Sequence, residues 1–261
     1  MNLVIIQARL GSTRLPNKIF SDITDNITIL DLLIERVRQS KKVDRVVVAT
    51  TYKDSDLALV KYCTSKGYEV FRGSENDCLD RHYQCGLSIG ASSVSKIPSD
   101  VPFIDPVLID KNLSLFETNC YDFVSTLHPP TFPDGMDIET MTFQALENAW
   151  KNAKKPFERE HTTPYIWDNP HLFKIGSIKS DQKHDYFMKY RFTIDYLEDL
   201  KFMRKVYKFF IIEDLFFTWQ NLVKFLDENP SIYSINKNYI GVNWYGNHID
   251  ELKTFDPSKT K

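Results

Sequence analysis

Glycine is scarce in this chain, nine residues of 261, and no stretch is rich in Gly, Ser or Pro. That excludes a long flexible linker and a low-complexity region. There are only four cysteines, and no two share a C-x-x-C spacing, which argues against a zinc knuckle or a dithiol redox motif. Cys63, Cys78, Cys85 and Cys120 are expected to be small buried residues in a reducing compartment, with Cys78 and Cys85 on one helix face. Charge of one sign is also missing: 33 Lys and Arg stand against 35 Asp and Glu, for a net charge of −2. Nucleic-acid binders carry a basic excess, so that class is set aside. No long apolar run occurs near the start, where residues 3–6 are too few for a signal peptide or a membrane span. The expectation is a cytoplasmic protein with no membrane or nucleic-acid partner.

What is present is an alternation of short apolar runs and amphipathic stretches. The runs at 3–7, 45–50, 68–71, 94–98 and 121–125 read as strands, several of them β-branched and continuous as in a buried parallel sheet. Helices are expected between them. Thr28 with Asp31 caps the first, Asp54 or Ser55 the second, Asn76 the third, and Asp105 before Pro106 the fourth. The pattern is that of an α/β fold with a mixed, mostly parallel sheet flanked by helices. Further on, 136–141 and 172–178 read as strands around a helix at 143–153, and 191–195 as another strand. Two amphipathic helices follow, one carrying Leu200, Met203, Tyr207 and Phe210, the other Leu215, Trp219, Leu222 and Leu226. Residues 1–250 are expected to form one domain, with 128–180 as an acceptor-binding or dimerisation insertion. The polar end, 251–261, is expected to be a tail, frayed from residue 255.

The segment after the first strand is the most informative. Gln7-Ala8-Arg9-Leu10-Gly11-Ser12-Thr13-Arg14-Leu15-Pro16-Asn17-Lys18 puts three cations beside a Gly-Ser-Thr turn. Ligands of open α/β sheets sit beyond the carboxyl ends of strands. Backbone N–H groups of such a turn can cradle phosphate oxygens, which Arg grips bidentately and Lys as a point charge. Three cations match the charge of a nucleoside triphosphate tail; the alternative is a solvated basic loop. The spacing is not that of a P-loop, and the glycines of a dinucleotide fingerprint are absent. Asp100, after the strand 94–98, and Asp195, at the end of 191–195, are candidate magnesium ligands, since this ion takes one or two carboxylates plus phosphate oxygens and water. For each, a helix N-cap is the alternative.

These segments fall into an ordered series. It continues with Gly73-Ser74-Glu75-Asn76-Asp77-Cys78-Leu79-Asp80-Arg81, Ser99 to Pro106, Phe132 to Glu139, Glu158 to Ile166 and Arg191 to Leu200. The series resembles the CMP-sugar synthetases, the Kdo and acylneuraminate cytidylyltransferases. It is most like the branch named for a spore coat polysaccharide biosynthesis protein. The resemblance implies a Rossmann-like nucleotide-diphospho-sugar transferase fold. It implies transfer of CMP from CTP to an acidic sugar or a small phosphorylated or carboxylated acceptor, with release of pyrophosphate, in surface polysaccharide biosynthesis. It implies Mg2+ and a homodimer. By the same resemblance, Gln7, Ala8, Arg9, Gly11, Ser12, Arg14, Lys18, Gly73, Ser74, Asp77, Ser99 and Asp100 bind nucleotide. Arg9, Lys18 and Asp100 carry catalysis, and Asp100 and Asp195 hold the metal. Pro98 departs from the pattern, because relatives often carry Thr or Gln there.

The middle segment gathers Asp134, Asp137, Glu139, Arg159, Glu160 and His161. Asp137, Glu139, Arg159 and His161 are expected to face the acceptor, with Arg159 on its carboxylate or phosphate and His161 orienting it or moving a proton. The alternative for 158–160 is an exposed helical face. Two rival functions are a metal-dependent glycosyltransferase, for which Asp54-Ser55-Asp56 supplies the text of a metal motif, and a nucleotide-binding protein without turnover.

Overall fold

A computed structural model describes residues 1–180 and 185–261. Its main sheet contains β1 (Asn2–Gln7), β4 (Arg45–Thr51), β5 (Glu69–Gly73), β6 (Ser93–Pro98), β7 (Phe123–Ser125), β8 (Glu139–Thr142) and β9 (Ile175–Ser177), in the order β5-β4-β1-β6-β8-β7-β9. A small antiparallel pair, β2 (Asp22–Thr24) and β3 (Ile27–Thr28), lies outside it. β1 runs parallel to both β4 and β6, and only β8 is antiparallel to its neighbours. The chain leaves β1 towards β4 and β5, then returns to place β6 on the other side. This reversal opens a crevice at the carboxyl ends of β1 and β6, where Gln7 pairs with Pro98.

Alternation along β1 sets the layers. Val4 and Ile6 face one side of the sheet, against α1 (Ile29–Arg38), α2 (Leu57–Ser65) and α4 (Pro106–Phe116). Leu3 and Ile5 face the other, against α3 (Cys78–Ile89) and α5 (Phe143–Asn152). All four are fully buried, and each contributes about 1.5–3 kcal/mol of transfer free energy. The short helices α6 (Pro156–His161) and α7 (Pro164–Trp167) close the second layer. A third core lies under α8 (Leu197–Ile212) and α9 (Trp219–Glu228), which pack on Phe103, Phe192 and Ile194. Segment 128–180 is woven into the sheet, since it supplies β8 and β9. Among the described residues no helix is long and apolar enough to cross a membrane.

Several expected caps are present. Thr28 and Asp31 form a reciprocal capping box, and Asp105 accepts the Val107 N–H at 2.8 Å. The other Asp105 oxygen accepts the Trp219 N–H at 3.0 Å, so one carboxylate joins the starts of α4 and α9. Other expectations are corrected. Asp77, not Asn76, caps α3. Asp54–Asp56 is a 3-10 turn ahead of α2 with no side-chain cap, because Asp56 is turned inwards. Leu215 lies outside the second amphipathic helix, which begins at Trp219. Cys120 is exposed, unlike the other cysteines.

The expected strand 191–195 is not a sheet strand. Arg191 makes a single bridge to Asp134, and the Ile194 N–H bonds the Asp100 carbonyl at 2.9 Å. The N–H groups of Asp195 and Tyr196 donate to the Asp199 carboxylate, both at 3.0 Å, instead of to a ladder. The end of the chain is not frayed either. Phe255 stacks on Tyr245 at 4.0 Å, and the Lys261 N–H bonds the Gly241 carbonyl at 2.9 Å.

Candidate active site

The crevice deepens into a cleft of about 740 Å³, lined by loop 7–18, Cys78 and Arg81 of α3, and Pro98 to Asp100 on one side. The other side is Asp134, Asp137, Glu139, His161, Arg191, Asp195 and part of segment 242–247. A second depression, at the amino ends of the strands around Asn2, Lys42 and Glu117, holds none of the candidate residues.

Loop 8–18 is shaped by its own bonds and one buried anchor. The Asn17 N–H returns to the Leu10 carbonyl at 3.3 Å, and Asn17 adopts the left-handed conformation at φ 56°. The Asp56 carboxylate, only 2% exposed, accepts the Leu10 N–H at 2.8 Å and the Thr51 hydroxyl. Asp54-Ser55-Asp56 is thus a loop anchor, and its text as a metal motif loses its geometric basis. Lys18 turns back under the loop. Its ammonium donates to Asp100 Oδ2 at 2.8 Å, Asp195 Oδ1 at 3.0 Å and the Ile194 carbonyl at 2.6 Å, which uses all three N–H groups. Burial alone would pull the Lys18 pKa down, but Asp100 and Asp195 outweigh it and the net shift is upward. Arg14 reaches Asp195 Oδ1 at 2.7 Å and lies over the Tyr196 ring. Arg9 lines the cleft with no bonded partner among the described residues. Gly11, Ser12 and Ser99 also line it, while Gly73, Ser74 and Asp77 do not.

Arg191 is the hub of the far side. Its fully buried guanidinium reaches Asp134 at 3.2 Å, Asp195 at 3.1 Å and Asp199 at 3.0 Å. Asp134 and Asp195 thereby meet one cation with opposite results. Burial would raise both carboxyls; Lys18, Arg14 and Arg191 together hold Asp195 below its ordinary value. Asp134 has Arg191 alone against burial and the nearby Asp195, Asp100 and Asp199, and is pushed up to about 7. Asp137 is raised well above the carboxylate range by burial and by Asp134 and Asp100. Gly135 makes the turn possible. It sits at φ +101°, and a Cβ there would meet the Phe192 carbonyl group at 2.5 Å.

Glu139 is bonded to Lys96 at 2.7 Å and accepts the Thr163 hydroxyl at 2.7 Å. Burial would raise its pKa, but Lys96 and His128 bring it down to about 2. Lys96 also donates to the His161 carbonyl at 3.0 Å. The His161 ring stacks on Trp244 at 3.8 Å; burial, then Lys96, His248 and Arg9, lower its pKa to about 3, so it is neutral. Arg159 is placed elsewhere. It clamps the Asp77 carboxylate through two nitrogens, donates to the Trp150 carbonyl at 2.6 Å, and does not line the cleft. Asp77 is thereby a cap held by Arg159, set behind its neighbours Asn76 and Cys78, which do line the cleft.

Cys78 lies on the cleft floor with its Sγ 3.1 Å from Gln7 Oε1 and 3.2 Å from the Arg81 guanidinium. Burial would raise the thiol, but His82 and Arg81 bring it down to about 6. Arg81 also holds the Ser74 carbonyl at 2.7 Å, and a Cβ on Gly73 would meet Arg81 Cγ at 2.8 Å. Sequence reading assigned no role to Arg81, Lys96 or Arg191. The signal for Lys96 was present: a lysine inside an apolar strand must be paired when buried. Trp244 and Tyr245 were given no role either.

Asp100 and Asp195 converge on one cation, the Lys18 ammonium, so their facing oxygens are within reach of a single ion. That donor set, two carboxylates beside an open cleft, fits a hard dication that completes its shell with phosphate and water. Among the described residues no group of three or more His, Cys, Asp or Glu converges as a metal cage.

The cytidylyltransferase family profile matches residues 3–232. The chain is 42% identical over 237 residues to a protein of Methanocaldococcus jannaschii, covering 90% of this chain and 93% of that one. It is 34% identical over 216 residues to the spore coat polysaccharide biosynthesis protein SpsF of Bacillus subtilis, covering 79% and 86%. The solved structure of a cytidylyltransferase from Leptospira borgpetersenii superposes with a TM-score of 0.81 at 33% identity, over 89% of this chain and 96% of that one.

Proposed function

The chain belongs to the cytidylyltransferase family of CTP-dependent nucleotidyltransferases, and on that premise we propose that it transfers CMP from CTP to an acidic sugar or a small phosphorylated or carboxylated acceptor, in surface polysaccharide biosynthesis. One observation carries the reading: a cation-bearing loop after β1 and the carboxylate after β6 meet across one cleft through Lys18.

In this reading the acceptor oxygen attacks the α-phosphorus in line, the new P–O bond forms, and pyrophosphate leaves. There is little covalent work for side chains, so positioning and charge neutralisation dominate. Arg9, Arg14 and Lys18 neutralise the triphosphate, and the turn at Gly11-Ser12 offers N–H groups. The side of the cleft formed by Glu75, Asn76 and Arg81 meets the base. Asp100 and Asp195 would hold magnesium, which when bound would supply charge neutralisation for the transfer. Lys18 then exchanges carboxylate partners for phosphate ones. Glu139 and His161 belong to the acceptor side, while Arg159 acts on it only indirectly. A homodimer is expected, and light scattering would test it.

The test is pyrophosphate release with CTP, UTP, ATP and GTP against a panel of acidic sugars and small phosphates. The reading expects turnover with CTP and an anionic acceptor. A clear preference for UTP or a purine, or binding without turnover for every acceptor, overturns it.

A further inference from the structure

The family match stops at residue 232, yet the chain continues through a segment that returns to the cleft. Val242, Asn243, Trp244, Tyr245 and Asn247 form part of the wall on the side of His161. The return is firmly held. Arg191 donates to the Val242 carbonyl at 3.1 Å, and the N–H groups of Lys253 and Thr254 bond Asp168 at 2.9 and 2.7 Å. Asn243 is used up by the Lys259 carbonyl and the Thr260 hydroxyl, at 3.0 and 2.7 Å. A continuous ring stack runs His161–Trp244–Tyr245–Phe255, with centroids 3.8, 4.2 and 4.0 Å apart.

The stack occupies the indole, so Trp244 is not an open platform for a flat ligand. What the wall has to offer is donors. Among the described residues the indole N–H of Trp244 and the Asn247 carboxamide make no hydrogen bond, and Arg9 also lacks a partner. The carboxylates nearby do not oppose an anion strongly. Glu139 is paired with Lys96, and burial beside Asp134 and Asp100 raises the Asp137 carboxyl.

We propose that residues 242–247 are the acceptor-binding wall, and that Trp244 and Asn247 donate to the anionic group of the acceptor, a carboxylate or a phosphate. The inference rests on the cytidylyltransferase reading and adds a site that the family-matched region does not contain. Trp244 also positions His161 by stacking.

The test uses the full chain with Trp244→Phe, which keeps the stack but removes the N–H, and with Asn247→Ala. Calorimetry measures CTP affinity. Pyrophosphate release then gives kcat and KM for N-acetylneuraminate and Kdo as carboxylate probes and for glucose 1-phosphate as the phosphate probe. The expected result is CTP affinity within about twofold of the parent, and KM for one probe class raised about tenfold or more in each variant, as for a hydrogen bond to a charged group. The class that responds identifies the anion. Unchanged KM in both variants overturns the proposal, and so does parallel loss of CTP and acceptor binding, which marks a structural role. A parent chain that binds CTP but turns over none of the probes also overturns it. A parent chain that does not bind CTP overturns the functional reading itself.

Discussion

The two walls of the cleft are built by opposite strategies. The wall at 7–18 is one contiguous loop hung from a single strand, with Arg9 exposed and without a bonded partner among the described residues, Arg14 half exposed and paired with Asp195, and Lys18 mostly buried. The wall opposite is assembled from segments near 134–139, 161, 191–195 and 242–247, and its charges are already paired: Arg191 with Asp134, Asp195 and Asp199, and Lys96 with Glu139. A loop with exposed cations can take up a polyanion with little rearrangement. An assembled wall of satisfied pairs is rigid and discriminates by shape and by the few donors left over. Lys18 is the joint between them, because its ammonium bonds both the β6 end and the Asp195 segment, and Arg14 adds a second tie to Asp195.

The largest effect is expected where the assembled wall is broken. Arg191→Met leaves Asp134, Asp195 and Asp199 without their shared cation, and losing one partner of a buried ion pair costs about 3–5 kcal/mol. Denaturant unfolding should show that loss, and a change within error of zero would remove the hub from the account. Next comes the joint. Lys18→Met should lower turnover about 10²- to 10³-fold, the scale of one lost donor to developing charge. Single-turnover kinetics at saturating CTP measures it, and near-parental rates would mean that Lys18 merely fills the space between the aspartates.

The contiguous loop gives a smaller effect. Asp56→Ala orphans the buried Leu10 N–H, at about 1–3 kcal/mol, and should loosen the loop. Hydrogen exchange at Leu10 reads this directly; unchanged protection would show that the loop holds its shape without the anchor. The pH axis supplies the last contrast. Glu139 titrates near 2 in the fold and about 4.3 in an unfolded chain. Its contribution is therefore complete above the unfolded value and is lost as pH falls through the folded one. The stability gap between parent and Glu139→Gln should shrink from pH 6 towards pH 3. A gap that widens on acidification would refute the ion pair with Lys96.

The contrast also explains what could be read from the sequence. The loop wall was legible because its chemistry is consecutive: strand, turn and cations follow one another within 7–18. The sheet was legible for the same reason, since each of its first strands is a short β-branched or apolar run. The assembled wall was not. Arg191-Phe192-Thr193-Ile194 has the text of a strand, but Asp199, paired with the buried Arg191 guanidinium, takes the N–H groups of Asp195 and Tyr196 that would have continued a ladder. Arg159 looked free because its partner Asp77 lies far away in sequence. The segment 255–261 reads as a polar tail, but its bond to Gly241 and the Phe255–Tyr245 stack hold it against segment 241–245.

The central claim is that the contiguous wall holds the triphosphate through its cations, with Arg14 exchanging Asp195 for phosphate. Calorimetry with CTP and CMP on the parent and on Arg14→Ala tests it most directly. The account predicts that the variant loses CTP affinity by about tenfold or more, the worth of one charge-assisted contact, while CMP affinity stays near the parental value. Equal losses for the two nucleotides, or none for either, would contradict it.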